Sequence, residues 1–194
     1  MIKNFFILFL SLLIITGCGS PGQPEEAEDT ERTELTPGER GFLNNLASLC
    51  GQSFRGEQIF LAEGRDSWED EELIMHVTVC EEDRVHIPFH VSEDESRTWM
   101  FLVEDGRLRL RHDHRYPDGT PHDVHLYGGY SDGEGTEYRQ HFPVDEFSKR
   151  EVLDEERGRE WQVVLDEDMT TYSYRLLYYG EIVLQADFDL TNPL

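Results

Sequence analysis

From residue 53 onward, apolar and polar residues take turns along the chain. In 84–91, Val85, Ile87, Phe89 and Val91 fall on one side, and Arg84, His86, Pro88 and His90 on the other. In 181–190, Ile182, Leu184, Ala186, Phe188 and Leu190 oppose Val183, Gln185, Asp187 and Asp189. The same alternation runs through 53–61, 72–80, 97–104, 107–115, 122–130, 135–142, 160–166 and 170–179. Successive side chains of a strand point to opposite faces, so these segments predict about ten half-buried strands. Asp105-Gly106, Asp118-Gly119, Asp132-Gly133 and Tyr179-Gly180 supply the residues that tight turns need. A long antiparallel meander with open edges invites edge-to-edge pairing, and closure removes the edges. The expected fold is therefore all-β: an antiparallel meander rolled into a closed barrel, with a two-sheet β-sandwich as the alternative.

One helix precedes the strands. Thr36-Pro37-Gly38-Glu39 is a capping-box sequence with proline at the first helical position. Phe42, Leu46 and Leu49, with Leu43 beside them, form one apolar face over 37–49, and Gly51 ends it. Residues 145–157, with Glu146 and Arg150 at helical spacing, interrupt the alternation as a helix or a flap. No internal repeat and no second domain is visible.

The N-terminus carries a different pattern. Lys3, an uncharged apolar run from Phe5 to Ile15, and small residues before Cys18 have the layout of a secretory signal over residues 1–17. The apolar run is shorter than the ~20 residues a bilayer-spanning helix needs. Ile15-Thr16-Gly17-Cys18 resembles the bacterial lipobox, which implies that Cys18 becomes a lipid-modified first residue. Gly19 after the cysteine implies, within that lipoprotein pattern, sorting to the outer membrane of the cell envelope. Residues 18–36 follow as a tether rich in Pro and Glu with little to bury, expected to be disordered and extended. Residues 37–194 then make a single domain.

Charge narrows the partners. The chain has 41 Asp+Glu against 17 Lys+Arg, a formal net charge of −24. Nucleic acid and anionic surfaces would be repelled, so the expected membrane contact is through the lipid alone. With Cys18 committed to lipid, Cys50 and Cys80 remain, and in an oxidising compartment they predict a disulfide between the helix end and the second strand.

The segment from Leu46 to Gly56, a helix running into Gly51-Gln52-Ser53-Phe54, resembles the opening of lipocalin-like barrels. Those carry Gly-x-Trp at this point, and here Phe54 stands one place beyond the tryptophan position.

Candidate chemistry concentrates in Gly106-Arg107-Leu108-Arg109-Leu110-Arg111-His112-Asp113-His114-Arg115. On a strand, Leu108, Leu110, His112 and His114 share the inward face, while Arg107, Arg109, Arg111, Asp113 and Arg115 share the outer one. Two histidines spaced this way lie about 7 Å apart and could share a divalent transition metal, with Asp118 as a third ligand and His86, His90, His122, His125 or His141 as further donors. Gly106, His112, His114 and Asp118 also resemble the first cupin motif. The competing reading makes His112 and His114 part of a polar network at the barrel mouth, bonded to Asp123 or Tyr127. The arginine stripe reads as an exterior face paired with acids, or as an anionic-ligand site. Tyr172, Tyr174 and Tyr178, joined by Leu176, are pocket wall or plain core. Residues 112–119 are similar to a His-Asp-His-Arg-x-x-Asp-Gly stretch in a group of uncharacterised bacterial secreted proteins.

No Gly-x-Ser-x-Gly elbow, HExxH, phosphate-binding glycine loop or CxxC occurs. The functional expectation is a lipid-anchored barrel that binds a small apolar or amphipathic ligand, with His112, His114, Tyr172 and Tyr174 in the pocket. The alternatives are a metalloprotein, enzymatic or not, built on His112 and His114, and a structural or assembly lipoprotein that meets an envelope partner.

Overall fold

The computed structural model describes residues 32–65, 67–153 and 158–194. The leader of residues 1–17, Cys18 and tether residues 19–31 lie outside the described residues. Helix α1 (Pro37–Ser48) comes first. Strands β1 (Ser53–Leu61), β2 (Leu73–His76), β3 (Val79–Glu81), β4 (Arg84–Val91), β5 (Asp94–Glu104) and β6 (Arg107–His114) follow. β7 (Tyr127–Tyr130), β8 (Arg139–Pro143), a π-helical turn (Ser148–Val152), β9 (Arg159–Leu165), β10 (Thr171–Tyr178) and β11 (Glu181–Asp189) complete the described elements.

All pairings between these strands are antiparallel, and sequence neighbours lie side by side in one sheet ordered β7-β6-β5-β4-β2-β1-β11-β10-β9-β8, with β3 added on β4. β1 pairs with β11, which brings the first and last strands together. β7 and β8 therefore face each other as the two ends of the sheet. Asp145 N–H donates to Gly128 O at 3.0 Å and Asp132 N–H to His141 O at 3.1 Å across this seam, leaving a nearly closed barrel. Gly129 makes this approach to β8 possible, and Gly128 the close pairing with β6, because neither carries a side chain. A Cβ on Gly129 would lie 1.8 Å from Pro143 O, and one on Gly128 would lie 1.8 Å from Leu110 O.

The predicted alternation is what fills the interior. Val85, Ile87, Phe89 and Val91 of β4, and Leu108 and Leu110 of β6, are buried together with Phe54, Phe101, Trp161 and Phe188. The Asp105-Gly106 and Tyr179-Gly180 hairpins both take positive φ at their two central residues, as the sequence predicts.

Several segments depart from the predicted boundaries, and the expected strand 135–142 begins only at Arg139, where β8 starts. The expected strand 72–80 divides into β2 and β3, because Val77 N–H turns to Gln52 O while β3 pairs with β4 alone. The expected strand 122–130 shrinks to β7: Leu126 has φ 54°, and residues 115–121 fold back on themselves through an Arg115–Pro121 bridge. Residues 32–36, assigned from sequence to the tether, are ordered against the barrel. Arg32 donates twice to the fully buried Glu39 carboxylate, at 2.7 and 2.8 Å, and its backbone lies against Gly106.

α1 closes one end. Thr36 and Glu39 form the capping box, and Phe42 meets Phe101 edge-on at 5.8 Å. Arg40 donates to Glu82 O and Asn45 to Glu137 O, which ties the helix to the β3–β4 turn and the segment before β8. The predicted Cys50–Cys80 disulfide is formed and fastens the helix exit to β3. Among the described residues no helix is long and apolar enough to cross a membrane.

Candidate functional site

At the end of the barrel opposite α1, the interior opens into a cavity of about 740 Å³. Register explains its walls. Trp99 on β5 pairs with His112 on β6, and His112 pairs with Tyr127 on β7, so three inward rings stand at one level. Trp161 on β9 and Tyr174 on β10 face them, and the loop after β1 adds Glu63, Arg65 and Trp68. All three tryptophans of the chain line this cavity.

The rings stack. Trp99 lies 4.6 Å from Phe89 and 4.5 Å from Tyr174, both nearly parallel. The His112 imidazole lies 4.7 Å over Tyr127 at 6° and 4.9 Å from Trp161. Offset and parallel contacts between aromatic faces exclude water and fix the wall.

Both predicted imidazoles point inward. His112 is buried, with Nδ1 3.2 Å from Tyr127 O and Nε2 2.8 Å from the Tyr174 hydroxyl. A carbonyl can only accept, so Nδ1 carries the hydrogen and Nε2 accepts from Tyr174. Burial, reinforced by the charge His114 would carry, pushes the His112 pKa down to about 3. His114 Nε2 lies 3.2 Å from the Tyr127 hydroxyl, and burial with Arg97 and His122 nearby lowers its pKa to about 4. Burial raises Tyr127 to about 12, so its phenol keeps its proton as donor to His114. The floor of the cavity is therefore uncharged at neutral pH.

The rim differs. Arg65, Arg97 and Arg159 line it, with Glu63 the one acid among the described lining residues. Arg65 and Arg159 lie over the Tyr178 ring at 4.9 and 5.4 Å, while Arg97 pairs with Asp94 at 2.7 Å. In a chain with net charge −24 this is a local concentration of positive charge.

The remaining sequence candidates fall elsewhere. Tyr172 is fully buried in the core against Trp99 and Phe188 and does not line the cavity. It shares a strand face with Tyr174 but lies deeper along β10. Asp118 is exposed in the loop after β6, and its carboxylate accepts from the Thr120 N–H and hydroxyl. Among the described residues no group of three His, Cys, Asp or Glu side chains is arranged to hold a metal, and His112 already uses both ring nitrogens. On the outer face, Arg109 and Arg111 pair with Glu104, Arg109 also with Asp145, and Arg115 with Asp113. Arg109 is nonetheless buried, covered by the segment after β8.

The fold and site together define an all-β barrel with a helix-closed base and an aromatic interior cavity. No protein-family model and no curated protein matches the sequence. A solved structure of a redesigned beta barrel, b11L5F_LGL, is similar over 75% of this chain and 94% of its own, at 12% identity and a TM-score of 0.32. The barrel assignment rests on the strand pairing itself.

Proposed function

We propose that this chain is an envelope lipoprotein whose barrel holds one small amphipathic molecule, apolar or aromatic body inward and anionic end at the rim. The observation that carries the reading is the cavity itself: about 740 Å³, walled by stacked rings and edged by Arg65, Arg97 and Arg159. That volume lies within the ~300–1,000 Å³ typical of small-molecule sites. A neutral floor accepts an apolar body without stranding a charge. The anchor is supported by the leader sequence and Cys18. Multiple acyl chains at about 0.8 kcal/mol per buried CH₂ would hold such a protein stably where a single chain would not.

Tryptophan fluorescence tests the pocket, since every indole lines it. A medium-chain fatty acid should perturb the emission saturably, its alcohol more weakly, and Arg97→Gln should reduce the difference between them. Native mass spectrometry of protein purified from its own host should show a bound small molecule. A chain that leaves the host empty and ignores both probes does not work this way. For the anchor, Cys18→Ser should release the protein from the membrane fraction; persistent membrane association without acyl label would remove that part.

A further inference from the structure

We infer that the outer face of the barrel carries a transition-metal site, separate from the interior cavity, formed by His76 of β2 and His90 of β4. Alternation puts Met75 and Phe89 inside, so the neighbouring His76 and His90 point outward. Met75 pairs with Phe89, which sets the two histidines diagonally across adjacent strands. His76 Nε2 lies 3.2 Å from His90 Nδ1, and the rings stand 4.4 Å apart at 53°. Two nitrogens on one tetrahedral zinc, each about 2.0–2.1 Å from the ion, stand roughly 3.3–3.4 Å apart. The observed separation is close to that edge.

The two imidazoles are the protein ligands in place, and the surroundings leave the rest of the coordination shell to water. Ser53, directly opposite His76 on β1, places its Oγ 2.6 Å from His76 Nδ1. With the hydrogen on Nδ1 and donated to Ser53, the ring orientation is fixed and the Nε2 lone pair accepts a hydrogen bond from His90 Nδ1, so that a metal ion between the two nitrogens takes the place of that proton. Glu95 Oε1 lies 3.8 Å from His90 Nδ1 and is exposed, near enough to approach a bound cation. A groove lined by Gln52, Ser53, Thr78, Pro88 and both histidines opens over the pair and leaves room for water as further ligands. Neutral imidazoles with one carboxylate nearby select borderline dications, zinc, copper or nickel, over magnesium or calcium.

Zinc itself is the probe. The full chain in detergent, stripped with a chelator and titrated with zinc chloride, should bind one ion per chain. His76→Gln and His90→Gln should each weaken binding about tenfold or more, and Glu95→Gln should weaken it less. His141→Gln, on a distant part of the outer surface, should leave it unchanged. These side chains are on the exterior, and circular dichroism melts establish that each variant folds. In the wild type, the His76 and His90 ring-proton resonances should shift together with zinc. Absence of stoichiometric uptake at about 100 µM, or equal binding by the His76→Gln/His90→Gln double variant, overturns the site.

Discussion

His112 of β6 and Tyr174 of β10 meet across the barrel interior, Nε2 to hydroxyl at 2.8 Å, although 62 residues separate them. Tyr174→Phe removes the only hydroxyl on that nitrogen and leaves a buried acceptor without its partner. It should cost about 1–3 kcal/mol in urea unfolding, and the His112→Leu/Tyr174→Phe double variant should cost less than the sum of the singles. Additive losses would show that the two side chains are not coupled.

Acid should destabilise the fold before most carboxylates titrate. The unfolded chain protonates these imidazoles near 6.5, while the folded protein protonates His112 only near 3 and His114 near 4. Below 6.5 the unfolded state therefore binds more protons, and stability falls as pH falls, by up to about 1.4 kcal/mol per pH unit for each histidine. Glu104 enters later: burial alone would raise its pKa, but hydrogen bonds from Arg111 and Arg109 outweigh it and hold the carboxyl low. Denaturant unfolding at pH 7, 6 and 5 measures the slope, and His112→Gln should flatten it. An unchanged slope in that variant would assign the effect to other groups.

The disulfide closes a loop with a sequence separation of 30. Cys50→Ala/Cys80→Ala should lose about 3–4 kcal/mol in the chain-entropy model. A reductant should lower the melting temperature of the wild type but not of that variant.

Gly129→Ala tests the seam. The new methyl would collide with Pro143 O, so β7 and β8 must separate, at a cost of about 1–3 kcal/mol or more. Hydrogen exchange should speed up at the Asp132 and Asp145 amides, which span the gap, and leave the β4–β5 amides protected.

Glu39 is fully buried, with Arg32 as its ion partner and the Thr36 and Leu108 amides as further donors. Arg32→Ala should cost about 3 kcal/mol by leaving that carboxylate without its counter-ion. In the Glu39→Gln background the same change should cost much less. Equal costs in both backgrounds would mean that the pair contributes nothing of its own.

Most of the barrel was legible because its code is local. Val85, Ile87, Phe89 and Val91 announce a strand and its buried face without reference to any other segment, and Thr36-Pro37-Gly38-Glu39 announces a helix start. The inward aim of His112 followed from Leu108 and Leu110 in the same way. Depth was not legible. Tyr172 and Tyr174 share a face, yet only Tyr174 reaches the cavity, because height within the barrel is set by register against β9 and β11. The same non-local register brings Trp99 and Trp161 to the cavity, and the loop after β1 adds Trp68, so none of the three is legible as a pocket residue from its own segment. The signal available was that Trp99 and Trp161 occupy alternating apolar positions on strands whose mouth-side ends coincide. The Arg32–Glu39 pair was hidden by composition, since an arginine among so many glutamates reads as solvated tether.

Completing the ring by laying residues 56–61 beside 184–188 also sets a timetable. β1 is the first of the described strands to be synthesised and its second neighbour, β11, is the last, so until then the growing sheet carries raw edges. Contacts that bridge so much intervening chain form slowly, and during that wait the half-made wall is open to pairing with other molecules. Only the arrival of β11 takes the free flank of β1 out of reach.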